Sequence, residues 1–501
     1  MKLTPRAYQL AIYNSILEKG NTLVVLPTGM GKTLIALMLI DKYYKEGKCL
    51  FLTPTKPLAK QHYDSVISTL GLSENEVALI TGDKPPEKRK EMYQKSVIVA
   101  TPQTVRNDIE SGICDRNCAL LVVDECHRAV GDYAYVPIAK ALKGALIVGM
   151  TASPGGKKER IAEVLENLML QNVEIRTSED ADVKPYIRKS TIKWVQVELS
   201  PALKKIKSDL DTLISSYAKE LSAIGFPPPM KHKGLFLQLR EKILNSKGKH
   251  KYYALVKYSA LLNVLHMAEL LETQGIYPMR NYLARLEERK TRSAKMLLRN
   301  PVFSEIKKMV LTTEEEHPKI KKLLEVVKSL NDKKMIVFAQ YRDQIKKIEE
   351  ELRAAGLNAR QFVGKKDGIT RKMQEETIAD FRNNKFNILV ASSIGEEGLD
   401  IPKVDAVIFY EPIPSEIRSI QRRGRAARLH EGEVHILMTR GTRDEYYYWA
   451  SINKEKKMKQ ILYSIQSSIQ KKTGRASEKP NETTSKQKKF HMGQTKISHF
   501  I

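Results

Sequence analysis

The sequence predicts an α/β protein: two domains, each built on a parallel β-sheet, with an all-helical domain inserted between them. Short β-branched runs alternate with helical patterns in residues 1–200 and again in residues 313–452. This alternation is typical of parallel sheets covered by helices on both faces. Residues 201–312 hold long helix-forming stretches instead. A chain of 501 residues, 42% of them hydrophobic, can bury several separate cores of this kind.

Each predicted strand is a short apolar run bounded by turn-forming residues. The first block predicts strands at residues 22–26, 49–53, 77–81, 96–100, 119–124 and 145–151. The second block predicts strands at residues 334–339, 358–362, 388–391, 406–410 and 433–438. The inserted domain predicts helices at residues 252–272 and 282–299, with breaks at the prolines after Phe226 and at Gly234 and Gly248.

Positive charge is concentrated outside the two sheet-forming blocks. The chain has a formal net charge of +27; residues 201–310 hold 21 Lys and Arg against 9 Asp and Glu, and residues 454–496 hold 12 against 3. A local basic excess indicates a polyanionic partner, so we interpret the insertion as a nucleic-acid-binding domain, although lysine-rich helices also serve solubility alone. Residues 453–501 turn polar and lysine-rich, which predicts a basic, disordered tail.

Composition also limits where the protein works. Four cysteines in the chain argue against structural disulfides and predict a reducing, cytoplasmic location. With nucleic acid as the expected partner, we expect the protein to be nucleoid-associated. We find no signal-like segment at the N-terminus and no uninterrupted apolar run of bilayer length, and we therefore expect no membrane partner. Cys114 and Cys118 are only half of the ligand set that structural zinc requires, and no second pair lies nearby, so we predict no metal there.

A phosphate-binding loop follows the first predicted strand. Residues 27–33 read Pro-Thr-Gly-Met-Gly-Lys-Thr and precede an apolar helix, which is the context that a P-loop needs. In such a loop the backbone N–H groups cradle phosphates, Lys32 reaches the β- and γ-phosphates, and the Thr33 hydroxyl ligates Mg²⁺. The sequence therefore predicts ATP and Mg²⁺ as cofactors. The predicted cofactor-binding residues of the loop are Thr28, Gly29, Met30, Gly31, Lys32 and Thr33.

Two acids close the fifth predicted strand. Asp124 and Glu125 begin the sequence Asp-Glu-Cys-His, at the carboxyl end of a parallel strand, where ligands bind. Asp124 is predicted to hold Mg²⁺ through water, and Glu125 is predicted to polarise the attacking water. Upstream, Arg6 and Gln9 precede the P-loop at a suitable distance. We count both as cofactor-binding residues, with the Gln9 amide contacting the adenine edge.

The second block contains an arginine-rich segment. Residues 421–428 hold four arginines and no acid, which indicates a polyphosphate facing them. Arg425 and Arg428 lie three residues apart, hence on one helical face, and are predicted to reach the γ-phosphate across the cleft. Gln421 is predicted to orient water or phosphate. Arg422 and Arg423 fit a nucleic-acid contact equally well.

An acidic, glycine-rich loop at residues 391–402 follows a predicted strand. It resembles a coupling loop between the nucleotide and the nucleic acid. Gly398 and Asp400 are predicted to face the nucleotide, and Ser392 and Ser393 are predicted to face a nucleic-acid phosphate. A plain connecting loop is the alternative interpretation.

Ten short motifs now form an ordered set that resembles superfamily 2 helicases. They lie at residues 5–9, 27–33, 53–61, 81–83, 101–103, 124–127, 151–153 and 336–344, around Gly398, and at 421–428. The resemblance covers about residues 1–450 and implies two RecA-like domains that close on ATP. The Asp-Glu-Cys-His motif together with a helical insertion is similar to the archaeal Hef and Fanconi anaemia M fork-remodelling family. Innate-immune RNA sensors share the insertion, so RNA stays open as a substrate.

The resemblance implies an ATP-dependent DNA helicase or translocase that moves along one strand of forked or branched DNA. It also implies that Thr55, Lys56, Thr101 and Gln103 grip the backbone of that strand. Full Hef proteins usually carry a nuclease, so this chain is expected to be the motor part, by nature or by truncation, with a nuclease as a partner. An RNA-directed ATPase of the same fold and a non-hydrolysing scaffold that recruits a clamp or nuclease are the alternatives.

The last eight residues resemble a peptide that docks on sliding clamps. Gln494, Ile497, Phe500 and Ile501 have the fitting spacing at the end of an otherwise polar segment. The sequence therefore predicts a sliding clamp as a further partner.

Overall fold

The computed structural model contains two parallel sheets and a helical bundle, which confirms the predicted fold class. It describes residues 4–177, 179–186, 191–230, 233–330, 332–364, 369–392, 404–412 and 432–472. The predicted coupling-loop residues from Ser393 to Asp400, the arginine-rich segment and the clamp-like peptide lie outside these ranges.

Seven parallel strands form the first sheet, in the order β3-β4-β2-β5-β6-β1-β7. All six strands predicted for the first block are confirmed, and the sheet gains a seventh strand, β7. The strands are β1 Thr22–Val25, β2 Cys49–Leu52, β3 Val77–Ile80, β4 Val97–Ala100, β5 Leu120–Asp124, β6 Leu146–Thr151 and β7 Asn172–Ile175. The helices are α1 Ala7–Lys19, α2 Lys32–Tyr43, α3 Lys56–Leu70, α4 Pro86–Met92, α5 Pro102–Glu110, α6 Tyr135–Ala141 and α7 Lys158–Asn167, with 3-10 turns at Cys126–Arg128 and Lys184–Tyr186.

Both faces of the first sheet are covered, which explains its continuous apolar strand sequences. Successive side chains of a strand point to opposite faces. Leu23 and Val25 accordingly pack with helices α5, α6 and α7, whereas Val24 packs with α1 and α2 on the other face. The carboxyl ends of the strands are therefore an edge at which polar side chains can approach a ligand.

Residues 201–312 form a helical bundle, as predicted. Its helices are α8 Pro201–Ala223, α9 Lys233–Leu244, α10 Lys251–Thr273, α11 Ile276–Glu287, α12 Arg292–Leu298 and α13 Pro301–Thr312. The predicted helix 252–272 is confirmed by α10. The predicted continuous helix 282–299 is wrong, because Thr291 accepts a hydrogen bond from the backbone N–H of Ala294 and starts a new helix.

Helix α10 is the one helix in the described ranges that is long and apolar enough, by length and composition alone, to cross a membrane. Of its most apolar 18-residue window, 56% is buried inside the protein. Leu261, Val264 and Leu271 of α10 are fully buried in the bundle core. Its apolar residues thus serve packing against α8, α9, α11 and α12.

The second sheet has six parallel strands in the order β10-β11-β9-β12-β13-β8. All five strands predicted for the second block are confirmed. The strands are β8 Thr191–Val197, β9 Met335–Phe338, β10 Ala359–Phe362, β11 Ile388–Ala391, β12 Ala406–Phe409 and β13 Glu433–Thr439. The helices are α14 Pro318–Ser329, α15 Arg342–Ala354, α16 Arg371–Arg382 and α17 Arg443–Lys472.

The predicted boundary of the first domain at residue 200 is wrong for strand β8. This strand pairs in parallel with β13 along its whole length, from Thr191 opposite Glu433 to Val197 opposite Thr439. It therefore belongs to the second sheet, although it precedes the inserted bundle in the chain. Pairing across more than 200 residues leaves no local signal, because the strand pattern shows a strand but not its sheet.

The predicted disordered tail is also wrong for residues 453–472, which are helical in α17. The apolar residues Met458, Leu462, Ile465 and Ile469 recur at helical spacing among the lysines and pack on the core of the first domain. The Gln466 amide donates to the carbonyl of Val173 on β7 at 2.9 Å. Helix α17 thus starts on the second domain and ends on the first.

Buried charges join the bundle to the second domain. Glu272 at the end of α10 is 1% exposed and forms an ion pair with Arg443 of α17, with 3.0 Å between Oε1 and Nη1. Lys319 of α14 and Asp444 of α17 are fully buried and pair with each other, and Lys319 also donates to the carbonyl of Thr273 at 3.1 Å. The bundle is therefore anchored to the second domain.

We predict that Asp444→Asn lowers the stability of this junction strongly. The substitution leaves the Lys319 ammonium buried without its counter-charge, and breaking a buried pair in this way costs about 3–5 kcal/mol. Urea unfolding monitored by circular dichroism measures the change in midpoint. The exposed pair of Lys205 and Asp209 is the control, since Asp209→Asn should cost about 1 kcal/mol or less. Equal midpoints for the two variants would contradict the prediction.

A second prediction concerns the attachment of strand β8. Hydrogen bonds from Lys193, and then from Lys333 and His435, lower the pKa of Glu433 to about 2. Because the pKa of Glu433 is lower in the folded than in the unfolded state, its charge stabilises the fold at pH values above the ordinary pKa of glutamate. This contribution is lost as the pH falls towards 2. Glu433→Gln should therefore lower the urea midpoint of unfolding at about pH 7. The difference in midpoint between the variant and the unsubstituted protein should become smaller at about pH 3. A gap that stays constant with pH would show that the charge of Glu433 is not responsible.

Candidate nucleotide site and nucleic-acid edge

The loop between β1 and α2 has the backbone that a P-loop requires. Gly29 and Gly31 adopt left-handed conformations, with φ of 85° and 75°. Gly31 is the N-cap of α2 and offers no side-chain acceptor, so the first N–H groups of that helix are available to an anion. The Lys32 ammonium donates to the carbonyl of Leu26 at 3.1 Å and so lies across the loop.

The motif at residues 5–9 contacts this loop through Gln9. The Gln9 side chain is buried; its amide nitrogen lies 3.2 Å from the carbonyl oxygen of Met30 and 3.3 Å from that of Gly31. The Gln9 carbonyl oxygen accepts from the backbone N–H of Arg6 at 2.8 Å, and the Arg6 guanidinium stacks on the ring of Tyr186. The amide of Gln9 holds the loop in this conformation, and its contact with the adenine edge stays a prediction.

Asp124 lies buried at the carboxyl end of β5, near the middle of the sheet. Its Oδ2 lies 3.2 Å from Nε2 of His62 on helix α3. Burial opposes the charged carboxylate, but the hydrogen bond and charge of His62, together with the charge of Lys32, outweigh it and lower the pKa of Asp124. The site therefore keeps an ionised carboxylate next to the P-loop, as a divalent cation requires.

Glu125 follows in a strained conformation, with φ of 48°. Its Oε2 is buried, has no hydrogen-bond partner among the described residues, and lies 3.2 Å from Nδ1 of His127. A buried oxygen without a donor fits a water molecule. His127 Nδ1 also lies 3.1 Å from the hydroxyl of Thr151, which ties this acid to the 151–153 motif.

The motif at residues 151–153 leads on to helix α17. The Thr151 hydroxyl accepts from the backbone N–H of Ser153 at 3.1 Å, and the Ser153 hydroxyl lies 2.9 Å from the sulfur of Met458. The acid that is predicted to activate water is therefore connected, through buried polar contacts, to the helix that returns from the second domain.

The predicted strand-gripping residues come together at one edge. Helices α3 and α5 follow the adjacent strands β2 and β4, with Thr55 and Thr101 as N-caps that make no side-chain cap. The Thr55 hydroxyl is buried without a hydrogen-bond partner among the described residues, Lys56 pairs with Asp83, and Gln103 is exposed. Uncapped helix N-termini attract phosphates, so this edge suits a nucleic-acid backbone.

The remaining predicted site residues are less fully described. The backbone N–H of Ser392 donates to the carbonyl of Phe362 at 3.1 Å and so extends the pairing of β11 with β10. Ser393, Gly398, Asp400, Gln421, Arg425 and Arg428 lie outside the described residues, and their roles stay predictions.

A cavity of about 430 Å³ adjoins the P-loop. Arg6, Gln9, Gly31 and Thr33 line it, and His62 of α3 lines it as well. The volume lies in the range of small-molecule sites, and helix α3 therefore forms a wall of the space beside the nucleotide loop. None of the ten sequence motifs includes His62. Helical spacing from Ala59 and Val66 places it on the buried face of α3, but no sequence pattern reveals its partner.

We predict that Gly31→Ala weakens ATP binding by about tenfold or more. A Cβ at residue 31 would lie 2.3 Å from the amide nitrogen of Gln9, and any L-residue at this φ costs about 1–2 kcal/mol. Titration with a fluorescent ATP analogue measures the affinity. Gly71→Ala is the matched control, because Gly71 has φ of 73° but nothing within 4 Å of its Cβ position. Gly71→Ala should retain ATP affinity, and equal losses in both variants would contradict the role of Gln9.

Comparisons with known proteins cover most of the chain. Three family models match in chain order: the res subunit of type III restriction enzymes at residues 2–156, the helical bundle of an ATP-dependent RNA helicase at 202–317, and the helicase conserved C-terminal domain at 318–430. The crystal structure of the Pyrococcus furiosus Hef helicase domain is 40% identical, with a TM-score of 0.69, over 89% of this chain and 98% of that one.

Curated relatives are longer proteins. A Methanocaldococcus jannaschii protein, whose name is that of an ATP-dependent RNA helicase, is 38% identical over 92% of this chain. The ATP-dependent DNA helicase fml1 of Schizosaccharomyces pombe is 31% identical over 87% of this chain. The chain spans 61% of the length of the first relative and 57% of the second.

Proposed function

The chain belongs to the family of ATP-dependent helicases that includes the Hef helicase domain, and from that premise we propose that it couples ATP hydrolysis to movement along one strand of forked or branched DNA. One observation carries the proposal. The buried carboxylate Asp124 and the helix N-termini at Thr55 and Thr101 lie at the same edge of one sheet, on strands β5, β2 and β4, which are consecutive neighbours. A nucleotide and a nucleic-acid backbone at this edge would share the same supporting strands.

ATP and Mg²⁺ fit the residues of the first domain. The left-handed glycines of the loop and the uncapped start of α2 suit phosphate oxygens, and the ionised Asp124 with the Thr33 hydroxyl suits Mg²⁺. When bound, Mg²⁺ neutralises phosphate charge and ATP supplies the free energy of hydrolysis. The buried Oε2 of Glu125, which lies 3.2 Å from Nδ1 of His127, would accept a proton from the attacking water.

The second domain completes the site in this proposal. In the roles that the sequence predicts, Arg425 and Arg428 would bind the γ-phosphate, Gln421 would orient water or phosphate, and Gly398 and Asp400 would contact the nucleotide. Guanidinium groups suit this task because they remain charged and bind phosphate oxygens in pairs.

The connections between the domains indicate how closure would move DNA. The basic bundle is anchored to the second domain through Glu272, Arg443, Lys319 and Asp444, so it moves with that domain. The strand-gripping N-termini of α3 and α5 belong to the first domain. Each closure of the nucleotide cleft would then change the distance between the strand held by the first domain and the duplex or branch point held by the bundle. The ATP and ADP states differ in their affinity for DNA, and this difference drives the step.

An RNA-directed ATPase is the second candidate function. The helical-bundle model that matches residues 202–317 is described for an RNA helicase, and the relative from M. jannaschii also has the name of an RNA helicase. ATPase stimulation by forked DNA and by double-stranded RNA, measured side by side, separates the two candidates. A scaffold that does not hydrolyse ATP is disfavoured by the buried, ionised Asp124 and by the Glu125 carboxylate beside it.

The proposed setting is the cytoplasm, in association with the nucleoid. The proposed partners are DNA, a sliding clamp bound through Gln494, Ile497, Phe500 and Ile501, and a nuclease. Co-elution of the full chain with a purified sliding clamp, and its loss on Phe500→Ala, tests the clamp contact.

We predict that Lys32→Ala lowers the fork-stimulated ATPase rate by about 100-fold or more, because the ammonium no longer stabilises charge on the transferring phosphoryl group. Steady-state ATPase assays with single-stranded, duplex, forked, four-way-junction and RNA ligands provide the measurement. Lys42→Ala, at the other end of the same helix and half-exposed, is the control and should leave the rate unchanged. Hydrolysis by Lys32→Ala at the unsubstituted rate with forked DNA would refute the assignment of the site.

A further inference from the structure

We propose that His62 is a positioning residue that transmits nucleic-acid binding to Asp124 and thereby sets how strongly DNA stimulates ATP hydrolysis. The inference rests on the proposed function and deepens it, because it names the connection between the nucleic-acid edge and the nucleotide site.

The contact between the two residues is specific and buried. His62 and Asp124 are 6% and 8% exposed, and Nε2 of His62 lies 3.2 Å from Oδ2 of the carboxylate. Because an ionised carboxylate only accepts hydrogen bonds, Nε2 of His62 carries a proton and donates. The ring of Phe51 lies 4.5 Å from the His62 ring and fixes its plane. A small movement of the His62 backbone therefore changes the position or the hydrogen bonding of Asp124.

One uninterrupted helix joins this contact to the nucleic-acid edge. Helix α3 runs from Lys56 to Leu70 with Thr55 as its N-cap, and His62 lies seven residues after Thr55. At 1.5 Å per residue, the separation along the axis is about 10 Å. A helix transmits displacement along its axis better than a loop does, since its backbone hydrogen bonds resist local distortion. Movement at Thr55 is consequently carried to His62.

The first turn of α3 has two alternative sets of partners. Within the protein, the Lys56 ammonium pairs with Asp83, and the hydroxyl of Thr81 donates to Asp83 at 3.3 Å. The Thr55 hydroxyl is buried without a hydrogen-bond partner among the described residues. A nucleic-acid phosphate at this turn competes with Asp83 for Lys56. If the turn shifts and uncovers the buried Thr55 hydroxyl, the phosphate also supplies the acceptor that Thr55 lacks. Binding of DNA thus changes the contacts at the start of α3, the helix that carries His62 to Asp124.

The same helix also forms a wall of the nucleotide cavity. His62 and Gln61 line the cavity together with Gly31 and Thr33. Nucleic acid at one end of α3 and nucleotide along its side therefore act on one element, which is the condition for a coupling free energy between two sites.

The test compares substitutions of His62 by their effect on the ratio of fork-stimulated to basal ATPase rate. His62→Phe keeps the ring but removes the donor, and His62→Asn is too short to reach Asp124. Both should lower the ratio by about tenfold, the size expected for a hydrogen bond to a charged group. His62→Gln, whose amide reaches Asp124, should restore most of the ratio. Ser68→Ala, exposed in the last turn of α3, is the control and should leave the ratio unchanged.

Each result of this experiment decides between the interpretations. Basal and stimulated rates that fall by the same factor in His62→Phe and His62→Asn would overturn the inference, because a residue that only supports the fold does not move their ratio. An unchanged ratio would overturn it as well. A protein with intact His62 whose ATPase ignores every DNA ligand overturns the proposed function and the inference with it. If DNA stimulates the ATPase of the unsubstituted protein and of the His62 variants by the same factor, the inference is overturned but the proposed function is not.

Discussion

The buried carboxylate of Asp124 is the constraint on which the first domain depends. A charge at the end of the central strand β5 loses its hydration, and an isolated buried carboxylate would take up a proton or destabilise the fold. It stays ionised because His62 donates to it and Lys32 contributes positive charge. Two elements that are far apart in sequence must therefore meet at this strand. The packing of α3 and the course of the P-loop are both set by that requirement.

The connections between the domains follow a second constraint: the chain crosses from one sheet to the other twice. It leaves the first sheet before β8 and returns along α17, whose Met458 and Leu462 enter the core of the first domain. The bundle is held to the second domain by charges that are almost completely buried, and such pairs tolerate little change in geometry. In the proposed cycle, the bundle and the second domain would consequently move as one unit relative to the first sheet. The contact of Met458 with Ser153 places the returning helix within two residues of Thr151, which contacts His127.

The sequence predicts the local features well and the long-range ones poorly, for a physical reason. Strands β1 to β6 and the P-loop follow from neighbouring residues: an apolar run, a glycine that needs positive φ, and a helix start. The sheet to which β8 belongs depends on Glu433 and Thr439, more than 200 residues away, so no local pattern reports it. The apolar residues of α17 are spaced among lysines, and they predict a packed helix only if the surface of the first domain that they contact is known. The partners of Gln9 and His62 were missed because a polar side chain in a helix does not reveal which backbone or carboxylate it will meet.

The distribution of charge fits two different kinds of grip on nucleic acid. The bundle concentrates lysines and arginines, and their attraction extends over about 8–10 Å in physiological salt. The edge at Thr55 and Thr101 adds helix N-termini and hydroxyls to the charge of Lys56, and the attraction of the N-termini falls off within the first turn of the helix. A displacement of an ångström or so therefore weakens the second kind of grip strongly and the first kind hardly at all. In the proposed motor, which would release one strand in every cycle without losing its DNA, the nucleotide would switch the short-range grip and leave the long-range attraction unchanged.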